Sequence, residues 1–424
     1  MIGLLYVGFQ NFIGVTIMNK TKKSILVIVL IVSLIGNIIS LFALVIYTWA
    51  LVDFRYTGDI EFYNGEKIVA MYNDNPMMFF VTEDKTFIAG NHTGVSYDFE
   101  YAVWADNGTN YELFSEGDVA PALVIEQKAK QVIPNYNGAG ALLLTESGEL
   151  YTTRALKIKK IADNVSFVDY DVANDKIYYL DNSSKLYIMN NKMKPQHLSD
   201  GIKTINVRFG KAFALTTSDE LCELLIDENY NCTRLSPIKT NVEKFEVFDS
   251  SLRMKDGKES YDEEAPESLL FNVLTKDKKL WVKGAYNAAD PNFEIDEFDF
   301  MRVYSDWETI GEDVVDFSGC RSGTVMLFEG GRAVYIGFEC NKDFTKVIFD
   351  TKELASEGAE FVNCNLRSIC VIKGDTIWLW GDVTSNFNPC PTHIYGVHTG
   401  GPLILPRSYS SKGYSMGPGY LPER

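Results

Sequence analysis

Arg367 to Gly381 reads RSICVIKGDTIWLWG: an apolar run, a polar turn at Lys373-Gly374-Asp375, and a second apolar run that closes on Trp-Gly. β-Branched and aromatic residues on both sides of a Gly-containing turn are the chemistry of a β-hairpin. The same phrase recurs upstream as GTVMLFEGGRAVYIG from Gly323, SLLFNVLTKDKKLWVKG from Ser268, GKAFALTTSDELCEL from Gly210, NDKIYYLDNSSKLYIM from Asn174, GAGALLLTESGELYT from Gly138 and PMMFFVTEDKTFIAG from Pro76. Before most copies lies a further strand: KQVIPNY, VSFVDYD, IKTINVR, VEKFEVF, DVVDFSG or GAEFVNC. Three or four strands recurring about every 35 to 63 residues match the blade of a propeller. One blade cannot bury both of its faces, so blades stack around a ring until the last packs on the first. The expected fold class is all-β, a seven-bladed β-propeller over residues 68–385. Kelch and WD-type propellers would carry Gly-Gly pairs and Trp-Asp endings, and a β-sandwich would not repeat one hairpin this often.

A small residue such as Gly319 or Gly210, an apolar strand, an acidic or glycine turn and a Leu-Trp-Gly-like ending resemble repeats of the regulator of chromosome condensation family. GDTIWLWG and KDKKLWVKG carry the likeness, which covers about residues 60 to 385; the histidine that the family places before the apolar strand is absent from all seven copies. The resemblance implies a seven-bladed ring. It does not bring function with it, because the family's nucleotide exchange on a small nuclear GTPase needs a cytosolic or nuclear propeller.

The segment SILVIVLIVSLIGNIISLFALVIYTWALV, Ser24 to Val52, is uncharged and mostly apolar, and Lys20, Lys22 and Lys23 precede it. As a helix it would be about 43 Å long, more than the roughly 30 Å of a hydrocarbon core. A cleavable signal peptide would have a shorter apolar core and a small-residue cleavage site. The lysines before the run, and Asp53, Arg55, Asp59 and Glu61 after it, predict an uncleaved signal anchor with a cytosolic amino terminus. The expected organisation is a cytosolic segment over 1–23, a transmembrane helix over 24–52, a juxtamembrane linker over 53–67, the propeller, and a Gly/Pro/Ser/Tyr-rich tail over 386–424. Within that tail, GPLILP could supply a strand closing the ring beside GDIEFYN near residue 60. Met18 opens the basic start MNKTKK and is an alternative to Met1 as the first residue.

The net charge is −17, and with +3 in residues 1–23 the remainder carries −20. Such a domain is repelled by phosphate, which excludes nucleic acid as a partner. The seven cysteines, Cys222, Cys232, Cys320, Cys340, Cys364, Cys370 and Cys390, all fall on the predicted oxidising side, where disulfides are the default. Cys222 and Cys232 flank a hairpin and are the expected pair; the other connectivities cannot be read from sequence. The odd count leaves one thiol free or available for a bridge to a second copy. Sequons at Asn91, Asn107, Asn164, Asn182 and Asn231 are glycosylation candidates, with Asn182 expected at a hairpin tip.

Two inserts break the period. Ser250 to Ser268 reads as a polar surface loop. Ala285 to Trp307 mixes acids with aromatics, and Phe293, Asp296, Glu297, Phe298, Tyr304 and Trp307 are the candidate binding residues. The competing reading folds those aromatics over a blade edge. Four histidines, His92, His197, His393 and His398, lack metal-pair spacing, and no cofactor is implied. Asp169-Tyr170-Asp171 matches the Asp-x-Asp of membrane-anchored glycosyltransferases, yet sits in a strand without their α/β pattern. Together these features predict a single-pass membrane glycoprotein of the plasma membrane, a virion envelope or the secretory pathway. Its propeller is expected to be a non-catalytic platform for a protein or glycan. The alternatives are a viral or parasite attachment protein and a secretory-pathway carbohydrate-active enzyme.

Overall fold

The computed structural model describes residues 66–404 except 75–76, 91–96, 105–110, 120–122, 137–139, 155–156, 173, 191–193, 209, 256–257, 260–266, 288–300, 341–346, 366–367 and 382–399. The strands form seven antiparallel sheets, arranged as seven blades. Blade 1 has β1 (Ala70–Asp74), β2 (Met77–Val81) and β3 (Thr86–Gly90). After the hairpin β4 (Tyr97–Trp104) and β5 (Tyr111–Val119), blade 1 is completed by β6 (Leu123–Ile125). Blade 2 has β7 (Ala129–Tyr136), β8 (Gly140–Thr145), β9 (Leu150–Arg154) and β10 (Lys157–Ala162). Blade 3 has β11 (Val165–Asp171), β12 (Lys176–Asp181), β13 (Lys185–Met189) and β14 (Gln196–Asp200). Blade 4 has β15 (Ile202–Arg208), β16 (Lys211–Thr216), β17 (Leu221–Ile226) and β18 (Cys232–Lys239). Blade 5 has β19 (Val242–Lys255), β20 (Lys258–Glu259), β21 (Glu267–Thr275), β22 (Leu280–Asn287) and β23 (Met301–Gly311). Blade 6 has β24 (Val314–Cys320), β25 (Gly323–Phe328), β26 (Ala333–Cys340) and β27 (Val347–Ala355). Blade 7 has β28 (Ala359–Cys364), β29 (Ser368–Lys373), β30 (Thr376–Gly381) and β31 (Gly400–Ile404).

The first strands of successive blades lie side by side, β1 against β7, then β11, β15, β19, β24 and β28, and β28 returns to β1. The ring is therefore closed, with these seven strands innermost. Its apolar core sits between blades: Leu142, Leu144 and Val168 between blades 2 and 3, Phe213, Leu215 and Val247 between 4 and 5, and Val325, Tyr335 and Val371 between 6 and 7. Each sheet thus buries both faces, as the seven apolar hairpins require.

Turn chemistry joins one blade to the next. Between the second and third strands of blades 2 to 6, Gly148, Ser184, Asp219, Lys278 and Gly331 adopt φ values of 82°, 61°, 62°, 60° and 80°. The carbonyl of each accepts the N–H of the residue that opens the next blade, Val165, Ile202, Val242, Val314 and Ala359, at 2.8–3.1 Å. The residues just before those openers, Asn164, Gly201, Asn241, Asp313 and Gly358, are also left-handed. Glycine, Asn and Asp tolerate this conformation best, so the polar links between blades are structural punctuation.

Two expectations are corrected, and one strand exchange is new. Gly400–Ile404, assigned to the tail, is the strand β31; it pairs with β30 and β4, and GDIEFYN lies outside the described residues. The hairpin β4–β5 leaves blade 1 and extends the outer edge of blade 7 into a six-stranded sheet, linking first and last blades. Ser250 to Ser268 is partly regular: β19 runs on to Lys255 and turns back as β20, pairing Met254 with Glu259. Among the described residues no helix is long and apolar enough to cross a membrane; Ser24 to Val52 lies outside them.

Candidate functional site

The innermost strand of a blade has one edge with no partner strand, and its backbone groups need acceptors and donors from elsewhere. Here side chains of the preceding blade supply them. From β7, Gln131 Oε1 accepts from Val168 N at 3.2 Å while its Nε2 donates to Val168 O at 2.8 Å. Asp169 Oδ2 of β11 accepts from Val207 N at 2.5 Å, and Asn206 Oδ1 of β15 accepts from Val247 N at 3.1 Å. Glu246 Oε2 of β19 accepts from Gly319 N at 2.8 Å, and Ser318 Oγ of β24 accepts from Cys364 N at 3.0 Å. The result is a polar girdle that passes from blade 2 to blade 7.

The girdle carries charge. Asp169 is 5% exposed and also receives Asn206 Nδ2 at 3.3 Å and Arg208 Nη1 at 3.4 Å. Lys244 reaches Asp316 Oδ1 at 2.8 Å, Glu246 Oε1 at 3.6 Å and the Phe317 carbonyl at 2.5 Å. Burial pushes the Asp169 and Glu246 carboxyls above the usual carboxylate range, against the pull of Arg208 on the first and Lys244 on the second. Burial opposes the Lys244 charge as well, but Glu246 and Asp316 outweigh it and raise its pKa. Asp171, the second acid of the Asp-x-Asp, accepts from Asn174 N at 3.4 Å and from Asn174 Nδ2 at 2.7 Å. Both carboxylates of that motif thus have protein partners that hold blade joints and a turn. Among the described residues no group of three or more His, Cys, Asp or Glu is placed to hold a metal ion.

Antiparallel order fixes where the connections emerge. Within each blade, the links from first to second strand and from third to fourth strand leave one end of the ring; the hairpin turns and blade-to-blade links leave the other. The strand ends that flank 256–266 and 288–300 in blade 5 and 382–399 in blade 7 therefore lie at one end of the ring, while most of the 91–122 connection of blade 1 is the hairpin β4–β5 on the outer edge of blade 7. The opposite end is short-turned and stitched by ion pairs. Lys128 meets Glu83 at 3.3 Å, Lys278 meets Glu329 at 3.5 Å, and Asp219 bridges Lys203 and Lys276. Lys67 meets Glu360 at 2.8 Å across the closure between blades 1 and 7, where the Tyr72 and Phe361 rings also meet edge-on at 5.7 Å.

Of the predicted binding residues, Phe293, Asp296, Glu297 and Phe298 lie outside the described residues. Tyr304 and Trp307 belong to β23, not to a loop. Tyr304 is 5% exposed, packed with Tyr286 and Phe338 between blades 5 and 6. Trp307 packs toward blade 4, where Lys239 Nζ stands 4.6 Å from its ring and 3.8 Å from that of Trp281. Both side chains thus pack against neighbouring blades.

Among the sequons, Asn91 and Asn107 lie outside the described residues. Asn182 is exposed at the tip of the β12–β13 hairpin, with its N–H donated to the carbonyl of the exposed Asn164 at 3.1 Å. Asn231 is exposed, its Nδ2 donating to Asp227 Oδ2 at 2.7 Å. Cys222 and Cys232 are not brought together: Cys222 faces Pro237 and Cys232 faces Ile226, four positions along the same ladder, and both are free thiols. The flanking hairpin is real, but its register staggers the two. Cys340 ends β26 opposite Val347, and Cys370 is buried, its thiol pushed up by burial. Cys320 and Cys364 do meet, with sulfurs 3.3 Å apart.

The girdle was not among the predicted site residues, although its signal is present. Asp169, Asn206, Glu246 and Ser318 each stand four positions after the apolar opener of a first strand, directly after a buried Val, Ile or Phe.

No family model matches the chain, and no curated protein matches it. Solved structures do. Human WBSCR16 aligns at 12% identity over 73% of this chain and 87% of its own, with a TM-score of 0.45. PorZ, an essential surface component of the type-IX secretion system of Porphyromonas gingivalis, aligns at 11% over 76% and 38%, with 0.43. Prp20p from Saccharomyces cerevisiae aligns at 13% over 70% and 80%, with 0.42. These similarities say nothing of what this chain binds; the seven-bladed ring stands on its own strand pairing.

Proposed function

We propose that the chain is a single-pass, amino-terminus-in membrane glycoprotein whose regulator of chromosome condensation-like propeller is a non-catalytic binding platform. Its recognition surface is the end of the ring where the inserts emerge, and its ligand is a protein or a glycan. The observation that supports this reading is the segregation of long connections to one end, above a girdle whose acids and bases are engaged in holding blades together. A ring carrying long connections on one end is a form suited to recognition. The membrane side of the proposal is supported by the apolar run Ser24 to Val52 and its preceding lysines.

The test is a glycan array together with cell-surface proximity labelling, using the full chain. Ligand capture that is lost when the 288–300 or 382–399 connection is replaced by a short Gly/Ser linker, and kept when Lys278 or Lys128 at the opposite end is changed to Ala, supports the reading. Metal-dependent turnover of a glycoside or sugar nucleotide by the full chain would overturn it.

A further inference from the structure

We propose that Cys320 and Cys364 form a disulfide that clamps blade 6 to blade 7. Cys320 is the last residue of β24 and Cys364 the last of β28, so the two sulfurs belong to innermost strands of adjacent blades. They stand 3.3 Å apart, and a bond of about 2.05 Å needs the two side chains to close by little more than an ångström between them. The joint is already held in register at that point: Cys364 N donates to Ser318 Oγ at 3.0 Å, two residues before Cys320. Both side chains are buried, 5% and 6% exposed, among Val325, Tyr335, Val362 and Val371. No other pair of described cysteines is placed this way; Cys222 and Cys232 are staggered along their ladder, and Cys370 faces Leu379.

The chemistry is thiol–disulfide exchange with an oxidised low-molecular-weight or protein disulfide. The Cys320 thiolate attacks one sulfur of the carrier, breaks the carrier bond and releases one carrier thiolate. The Cys364 thiolate then displaces the second carrier thiolate from Cys320. Two protein thiols lose two protons and two electrons, and the carrier disulfide is reduced to two thiols. Because both sulfurs are buried in the closed ring, exchange belongs to folding, before blades 6 and 7 dock. Blade 7 also carries the β4–β5 hairpin of blade 1, so the clamp fixes the blade on which ring closure depends.

This inference does not depend on membrane topology, and its test is done in vitro. The full chain is unfolded in urea and refolded with oxidised glutathione, remaining thiols are alkylated under denaturing conditions, and the protein is digested with trypsin. The expected result is that peptides Val303–Arg321 and Glu353–Arg367 are recovered joined, lighter by two hydrogens than their sum, while Cys370 is alkylated. In Cys320→Ser, Cys364 should be recovered alkylated. Recovery of Cys320 and Cys364 as alkylated as Cys370 would overturn the proposal, as would a Cys364 that cross-links equally well elsewhere in Cys320→Ser.

Discussion

Replacing Asp169 by Ala tests whether the girdle holds the ring. In the intact protein its carboxylate accepts the Val207 N–H at 2.5 Å and faces Arg208 at 3.4 Å. Alanine leaves a buried backbone donor on the inner edge of β15 without an acceptor, which costs about 1–3 kcal/mol. It also strips Arg208 of its carboxylate. For a fully buried pair that loss would be about 3–5 kcal/mol, but the Arg208 side chain is 31% exposed and the cost falls well below that figure. The sum is about 3 kcal/mol. Asp169→Asn keeps an oxygen for Val207 and removes only the charge, so it should cost about 1 kcal/mol. Asn206→Ala orphans the Val247 N–H with no ion pair involved, and should lie between them at about 2 kcal/mol. The assay is urea unfolding of the full chain in detergent, followed by tryptophan fluorescence, with the three midpoints compared against the unmodified chain. An Asp169→Ala midpoint equal to that of the unmodified chain would refute the girdle. So would an Asp169→Asn midpoint as low as that of Asp169→Ala, since the charge and not the acceptor would then be what matters.

Other predictions follow from the same geometry. Asp169 and Glu246 have folded-state pKa values raised by burial. From their ordinary values of 3.8 and 4.5 up to those raised values, the fold binds more protons than the unfolded chain, so their contribution falls as pH rises; Asp169→Asn should flatten that fall in a pH series of midpoints. Glu149 behaves oppositely. Hydrogen bonds from Lys160, Gln127 and Tyr151 lower it from 4.5 to about 2, so its contribution is present above 4.5 and disappears as pH falls toward 2; Glu149→Gln should remove that part of the acid limb. Gly284 has φ +113°, and a Cβ there would lie 2.0 Å from the Leu269 carbonyl oxygen, so Gly284→Ala should destabilise by about 3 kcal/mol or fail to fold, read as loss of the cooperative transition. Lys67→Ala removes an exposed ion pair at the closure and should leave the midpoint unmoved, because Tyr72, Phe361 and the β31–β4 pairing remain.

The hairpins were legible because their signal is local: an apolar run, a left-handed turn residue and a second apolar run lie within about 15 residues of one another. The turn at Glu146-Ser147-Gly148 places its φ 82° at Gly148, and the turn at Glu329-Gly330-Gly331 places its φ 80° at Gly331. What joins blades is not local. Asp169 and Val207 are 38 residues apart, and nothing near Asp169 marks it as an acceptor for another strand's backbone. Its repeat in phase with Asn206, Glu246 and Ser318 does, once the strands are aligned on Val165, Ile202, Val242 and Val314. The exchange of β4–β5 onto blade 7 could not be read at all, because an outer strand pairs through its backbone with whichever edge the ring brings near. Tyr304 and Trp307 read as ligand-facing because acidic and aromatic residues surround them. Strand β23 reaches further back than that pattern suggested and turns both toward neighbouring blades.

Display of the ring on the far side of a membrane is tested by synthesis of the full chain in the presence of microsomes with Asn182 as the reporter. Asn182 is exposed at a hairpin tip, where an acceptor amide is reachable. The expected result is a glycan-dependent mobility shift that Asn182→Gln reduces by one step, and a propeller that added protease leaves intact until detergent is supplied. An unglycosylated chain whose propeller is digested in sealed microsomes would contradict it.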